Sequence, residues 1–197
     1  MNFENRLWKI DIENLWWNED RIKIRNSLIN HFRSGGGPAH LTGIKGHGKS
    51  TLAAYLAKKL GATTFRMVDS EEDHMHEFNC GMLIIDEAQK LSQEERKEIM
   101  NKNRTVLMVS VIDLSEDGYK LVHEIKPLTN LEIKSYINYQ KSLDYFTPGA
   151  IDEVYKASKG GLRLINLICR EALNREDILI NRNIIAEVAK KRFKLRY

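Results

Sequence analysis

Apolar positions recur along this chain in two rhythms, and the change from one to the other divides it. Between Asp20 and Arg33, Ile22, Leu28, Ile29 and Phe32 fall among Arg21, Lys23, Arg25 and Arg33. That spacing predicts an amphipathic helix with a basic outer face, ended by Ser34-Gly35-Gly36-Gly37-Pro38. Short apolar runs then alternate with helical periods. Pro38-Ala39-His40-Leu41-Thr42 reads as a strand, and Leu52, Leu56 and Leu60 with Ala53 and Ala57 as a helix stopped by Gly61. Ala62 to Val68 reads as a second strand and Gly81 to Glu87 as a third, four apolar residues running into two carboxylates. Ser92 with Glu95 forms a capping box for a helix over Gln93 to Asn101, and Thr105 to Ile112 is another strand. His123 to Leu128 reads as a short final strand, ended by Pro127.

From Thr129 the strand pattern stops. Thr129 caps a helix over Asn130 to Lys141, and Thr147 with Pro148 starts a second one carrying Ile151, Val154 and Tyr155. Gly160-Gly161 closes that helix. Leu162 to Asn174 puts Ile165, Ile168, Cys169 and Ala172 on one face, and a last helix holds Ile184, Ile185, Val188 and Ala189. Two domains are therefore expected: an α/β domain over residues 1–128 with a parallel sheet flanked by helices, and a small all-α domain over 129–197.

Composition narrows the class. At 197 residues, with 42% hydrophobic and 29% charged, the chain is that of a globular protein with a proper core. No apolar run approaches the ~20 residues of a membrane span, and the alternating charges of Met1 to Asp11 do not form a signal peptide. Cys80 and Cys169 lie in separate apolar segments, which reads as two buried reduced thiols in a cytoplasmic protein. A net charge of +4 permits nucleic-acid contact without arguing for it. The lead-in carries Trp8, Trp16 and Trp17 and is expected to pack on the body of the domain, the other reading being a surface for a protein partner. His74 and His76 beside Asp73 and Glu77 read as a solvated acidic loop rather than a metal cluster.

The chemistry concentrates in Gly43-Ile44-Lys45-Gly46-His47-Gly48-Lys49-Ser50, a G-x-x-x-x-G-K-S sequence between a strand and a helix. In that context glycines let backbone N–H groups, with the helix N-terminus and Thr51, cradle phosphate oxygens. Lys49 would reach the β- and γ-phosphates of a nucleotide, and the Ser50 hydroxyl would ligate Mg²⁺. The third strand would deliver Asp86 to the same metal, with Glu87 placed to polarise an attacking water. Ser110, at the end of the next strand, stands where a γ-phosphate would be touched. A hydroxyl bonded to nearby backbone is the equal alternative.

In this order, the phosphate loop, Asp86-Glu87, Ser110 and a helical lid resemble the AAA+ ATPases. Lys126-Pro127-Leu128-Thr129 followed by Glu132 and Tyr136-Ile137, and Gly160-Gly161-Leu162-Arg163-Leu164-Ile165-Asn166, are similar to segments of the ExeA-like and TniB/TnsC-like group. The resemblance covers roughly Ser27 to Val188 and implies a P-loop NTPase fold with a lid. It implies ATP and Mg²⁺, ATP hydrolysis, homo-oligomers, and Arg163 as the sensor 2 residue. It also implies nucleotide-dependent assembly on double-stranded DNA to recruit a partner such as a transposase, with a helicase loader as the neighbouring possibility. A partner-binding or secretion-linked ATPase that leaves DNA alone is the alternative, and a small P-loop kinase a further one. The chain departs from the group in three places. Asp113 to Lys126 contains no arginine to serve a neighbouring subunit; Lys120 is the only nearby cation besides Lys126, and Arg96 and Arg104 are poorer candidates. Aligning Leu114 with the group's leucine puts Val111, not Ser110, at the sensor 1 position. The region between the second and third strands is short and acidic, so DNA contact would fall to Arg21, Lys23 and Arg25, or to Lys190 through Arg196.

Overall fold

The protein is described by a computed structural model over residues 15–66, 81–175 and 179–193. The acidic loop with His74 and His76, Cys80, most of the lead-in and the tail beyond Phe193 lie outside these residues. Two compact units divide the chain, Trp17–Lys126 and the chain from Pro127 onward with Trp16.

The first unit is built on five parallel strands: β1 (Ala39–Thr42), β2 (Thr63–Arg66), β3 (Leu83–Asp86), β4 (Val106–Val109) and β5 (Leu121–Glu124). Their spatial order is β2-β3-β4-β1-β5, so β4 is inserted between the strand that precedes the glycine loop and the strand that ends in the two acids. All four residues of β3 and of β4 are buried, as expected of central parallel strands covered on both faces. Alternate residues feed two cores. Ile84, Leu107 and Val109 pack with Leu28, Phe32, Leu52 and Leu56 from helices α1 (Glu19–Arg33) and α2 (Lys49–Leu60). Leu83, Ile85, Val106 and Met108 pack on the other face with Ile99 of α3 (Gln93–Lys102) and with Leu114.

Local chemistry sets the helix ends. Asn18 caps α1, and the Ser92/Glu95 capping box forms in both directions at α3. α2 stops at Gly61, whose backbone is left-handed. The last strand runs over Leu121–Glu124, earlier than the expected His123 to Leu128. Its register follows from pairing with β1, Ala39 opposite Leu121 and Thr42 opposite Glu124. The ladder ends where the Ile125 N–H donates to the Thr42 carbonyl. On α1, Arg21 departs from the expected basic outer face: it is buried, with Leu28, Ile29 and Phe32, while Ile22 is exposed. Arg25 is not a free cation either, since its guanidinium lies over the rings of Trp17 and Tyr55 at 5.7 and 5.8 Å. Lys23 is exposed and paired with Glu19.

The second unit contains α4 (Asn130–Tyr139), α5 (Pro148–Ser158), α6 (Leu162–Leu173) and α7 (Arg182–Phe193) around one core that includes Ile133, Ile137, Val154, Ile165, Ile168 and Ile185. Thr129 and Glu132 form the capping box of α4, and Thr147 with Pro148 starts α5. Trp16 packs on Tyr136, ring centroids 5.2 Å apart. Cys169 is a buried free thiol, and burial pushes its ionisation far up.

Candidate functional site

Register places the candidate residues along one edge of the sheet. Arg66, Asp86, Val109, Leu41 and His123 lie opposite one another across the five strands, in that order. The glycine loop leaves β1 two residues past Leu41, Glu87 follows Asp86, and Ser110 follows Val109. All three therefore emerge at the carboxyl ends of the strands around β1, which has β2, β3 and β4 on one side of it in the sheet and β5 on the other. Open α/β sheets bind ligands at such a crevice.

The loop from Gly43 to Gly48 is made by glycines at positive φ, 142° at Gly43, 87° at Gly46 and 94° at Gly48. Gly43 has a second reason to lack a side chain: a Cβ there would stand 2.6 Å from the Ile125 carbonyl oxygen. Helix α2 begins at Lys49 with no side-chain cap and no acid in its first turn. No side-chain cap therefore satisfies its first N–H groups, the arrangement that suits an anion. Lys49 is buried and folds onto its own loop, Nζ donating to the Gly43 carbonyl at 2.5 Å and the Ile44 carbonyl at 3.1 Å. Burial lowers the Lys49 pKa, partly offset by the Asp86 carboxylate. His47 is buried, and desolvation followed by the Arg21 and Lys49 charges lowers its pKa, so the loop carries a neutral imidazole. Ile44, Lys45 and Ser50 are exposed, and Gly46, Gly48 and Thr51 half-buried.

Across β4, Asp86 is buried and accepts the Glu87 N–H on Oδ1 at 3.0 Å. Glu87 itself is left-handed, φ 61° and ψ 36°, a conformation that costs a non-glycine residue about 1 kcal/mol or more and clusters at functional sites. Its half-exposed carboxylate lies 3.0 Å from Lys90 Nζ.

Ser110 is held differently from a free hydroxyl. Its Oγ donates to the Ile112 carbonyl, which also accepts the Thr42 hydroxyl, and it faces His40 Nε2 at 2.8 Å. With the hydroxyl proton so used, Nε2 must carry the imidazole proton. His40 is fully buried and stacked on Tyr119, and burial lowers its pKa to about 4. Val111, the other residue considered for this role, has an exposed side chain and donates its N–H to Gln89 Oε1 at 3.3 Å. Arg96 is buried against Asp117, Nε to Oδ2 at 2.6 Å, and donates to the Leu91 carbonyl; it therefore braces α3 and is not available to a neighbouring subunit.

In the helical unit, Arg163 lies exposed in the first turn of α6. The glycines before it have a structural cause. Gly160 (φ 76°) approaches the Leu128 backbone so closely that a Cβ would meet the Leu128 carbonyl at 2.3 Å, and its own carbonyl accepts the Leu128 N–H. Tyr136 and Asn166 are joined by a 2.8 Å hydrogen bond between α4 and α6.

A glycine loop on β1, acids ending β3 and an inserted β4 define the AAA+ form of the P-loop NTPase fold, and the chain has that fold. Among solved structures it is similar to RuvB from Thermotoga maritima, a Holliday junction branch migration motor. The TM-score is 0.67 at 18% identity, covering 90% of this chain and 70% of that one. It is also similar to NtrX from Brucella abortus in complex with ATP (TM-score 0.65, 15% identity, 92% and 60% covered) and to C. elegans PCH-2 (0.55, 13%, 97% and 71%). No protein-family profile and no curated protein matches the chain. No helix among the described residues is long and apolar enough to cross a membrane.

Proposed function

We propose that this chain binds ATP in the loop from Gly43 to Thr51 and hydrolyses it. The observation that carries the reading is the shared edge: an uncapped helix N-terminus, a desolvated Lys49 and the Asp86-Glu87 pair, brought together by one line of strand register. The donor set fits Mg²⁺, a hard cation that takes oxygen ligands, because the Ser50 hydroxyl and the buried Asp86 carboxylate are both oxygen donors at that edge. Bound there, the ion would neutralise charge on the β- and γ-oxygens. The backbone N–H groups of Gly46, Gly48 and Lys49 would hold the phosphates, and Lys49 would exchange its loop carbonyls for phosphate oxygens. Glu87 would orient and deprotonate the attacking water, released from Lys90 or shared with it. Ser110 touches a γ-phosphate only by giving up its Ile112 bond. Arg163 is the lid residue assigned to the γ-phosphate by the resemblance, and a planar fork of donors suits that task.

Nucleotide-dependent assembly, on double-stranded DNA and with a transposase or helicase as partner, remains the reading of the TniB/TnsC-like resemblance. The alternative without DNA gains support from α1, where, of the three cations considered for DNA, Arg21 is buried, Arg25 stacked on aromatic rings and Lys23 paired with Glu19. Hydrolysis is measured with Glu87→Gln, which should retain ATP and slow turnover about a thousandfold or more. Particle size is followed under ATP, ADP and duplex DNA; a monomer in all three defeats the assembly reading.

A further inference from the structure

Arg21 belongs to none of the motifs above. It sits in the first turn of α1, only 3% exposed. Its Nη2 donates to the His47 carbonyl at 3.0 Å and to the Lys126 carbonyl at 3.4 Å. A buried guanidinium is costly unless its donors are used. Here it is used on the outer side of the glycine loop.

The consequence lies in the peptide that Arg21 holds. The His47 carbonyl and the Gly48 N–H belong to one planar trans unit and point in opposite directions. Drawing the carbonyl toward α1 therefore turns the Gly48 N–H the other way. Nothing local enforces this orientation. Gly48 has φ 94°, and glycine adopts the opposite sign about as readily, so the unit is free to flip by rotation about the His47 and Gly48 backbone bonds. The same guanidinium is anchored on Lys126, and the neighbouring Ile125 backbone packs on Gly43 and takes up the β1 ladder. The loop is thereby braced from behind at both ends, by Ile125 at Gly43 and by Arg21 at His47. The Arg21 charge is felt at the loop, being one of the causes that hold His47 neutral.

We propose that Arg21 is a positioning residue of the phosphate loop. It locks the His47–Gly48 peptide so that the Gly48 N–H is already aimed at a bound phosphate, and it sets a buried positive charge behind that peptide. The proposal rests on the ATP-binding reading. Its test uses the full chain, ATP titrations of wild type, Arg21→Met, Arg21→Lys and Lys49→Ala, and melting without nucleotide. Losing a hydrogen bond from a charged donor should weaken ATP binding about tenfold or more in Arg21→Met. Arg21→Lys, which keeps a charge and a donor, should recover most of that loss, which lost packing alone does not predict. A smaller loss in a folded Arg21→Met protein, with Lys49→Ala still losing ATP, overturns the Arg21 role and leaves the ATP reading standing. Lys49→Ala binding ATP like wild type overturns both. A second measurement does not depend on any variant folding. Residual dipolar couplings of the wild-type Gly48 N–H should report one orientation with and without ATP, and a reorientation on binding overturns the proposal.

Discussion

His40 offers a quantitative test of the seam between β1 and β4. Its imidazole is fully buried, with Nε2 on Ser110 and Nδ1 without a hydrogen-bond partner among the described residues. Protonation would place a second N–H on Nδ1, where no described residue accepts it, and a charge in a buried site. Burial is the main cause that lowers its pKa from 6.5 to about 4; the Asp113 and Asp117 carboxylates oppose the shift and Arg96 adds to it. Above pH 6.5 the imidazole is neutral in both folded and unfolded chains and contributes nothing to the pH dependence. As the pH falls below that value the unfolded chain takes the proton first, so stability drops until the folded pKa is reached. By linkage the loss is about 2 kcal/mol at pH 5 and about 3 kcal/mol at pH 4. Against a typical total of roughly 5–15 kcal/mol that is large enough to measure. Urea unfolding of wild type and His40→Gln at pH 7 and pH 5 isolates it, because the other groups titrate alike in both proteins. Wild type should lose about 2 kcal/mol more than the variant over that interval. An equal loss in both proteins refutes the buried, singly bonded histidine.

Three further outcomes rest on close packing elsewhere in the protein. Gly43→Ala forces a Cβ onto the Ile125 carbonyl at a φ unsuited to alanine, and should cost about 1–3 kcal/mol of stability together with ATP affinity, read by melting and titration. Arg96→Met takes the cation from the buried Asp117 carboxylate, leaving it the Gln93 and Tyr119 donors, and should cost about 2–4 kcal/mol in chemical denaturation. Because Arg96 braces α3 and not the loop, ATP affinity in the folded fraction should be unchanged. Gly160→Ala pushes on the Leu128 backbone and should destabilise the helical unit by about 1–3 kcal/mol, read as a lower melting temperature.

What the sequence discloses is what local chemistry decides. The strand–glycine turn–helix geometry, the capping box at Ser92, the Thr129 cap, the Thr147-Pro148 start and the stop at Gly61 each lie within a few consecutive residues, and the structure has all of them. Pairings distant in sequence are a different matter. Arg21 reads as a surface cation among Lys23 and Arg25 because its acceptor on Lys126 lies 105 residues away. Ser110 reads equally as a phosphate contact or a backbone-bonded hydroxyl because His40 is 70 residues distant. The strand β5 shifts because its register is set by β1 and not by its own apolar residues. A signal for Arg21 existed in helical spacing: Leu28 and Phe32, seven and eleven residues on, share its face. An arginine in line with core residues calls for a buried acceptor.

The central claim is that a triphosphate is held by the loop between β1 and α2. Titration of ATP with Mg²⁺ into wild type and Lys49→Ala addresses it most directly. The account predicts saturable binding to the wild-type chain and its loss in a folded Lys49→Ala protein. Equal affinity in the two proteins, or no binding to either, contradicts it.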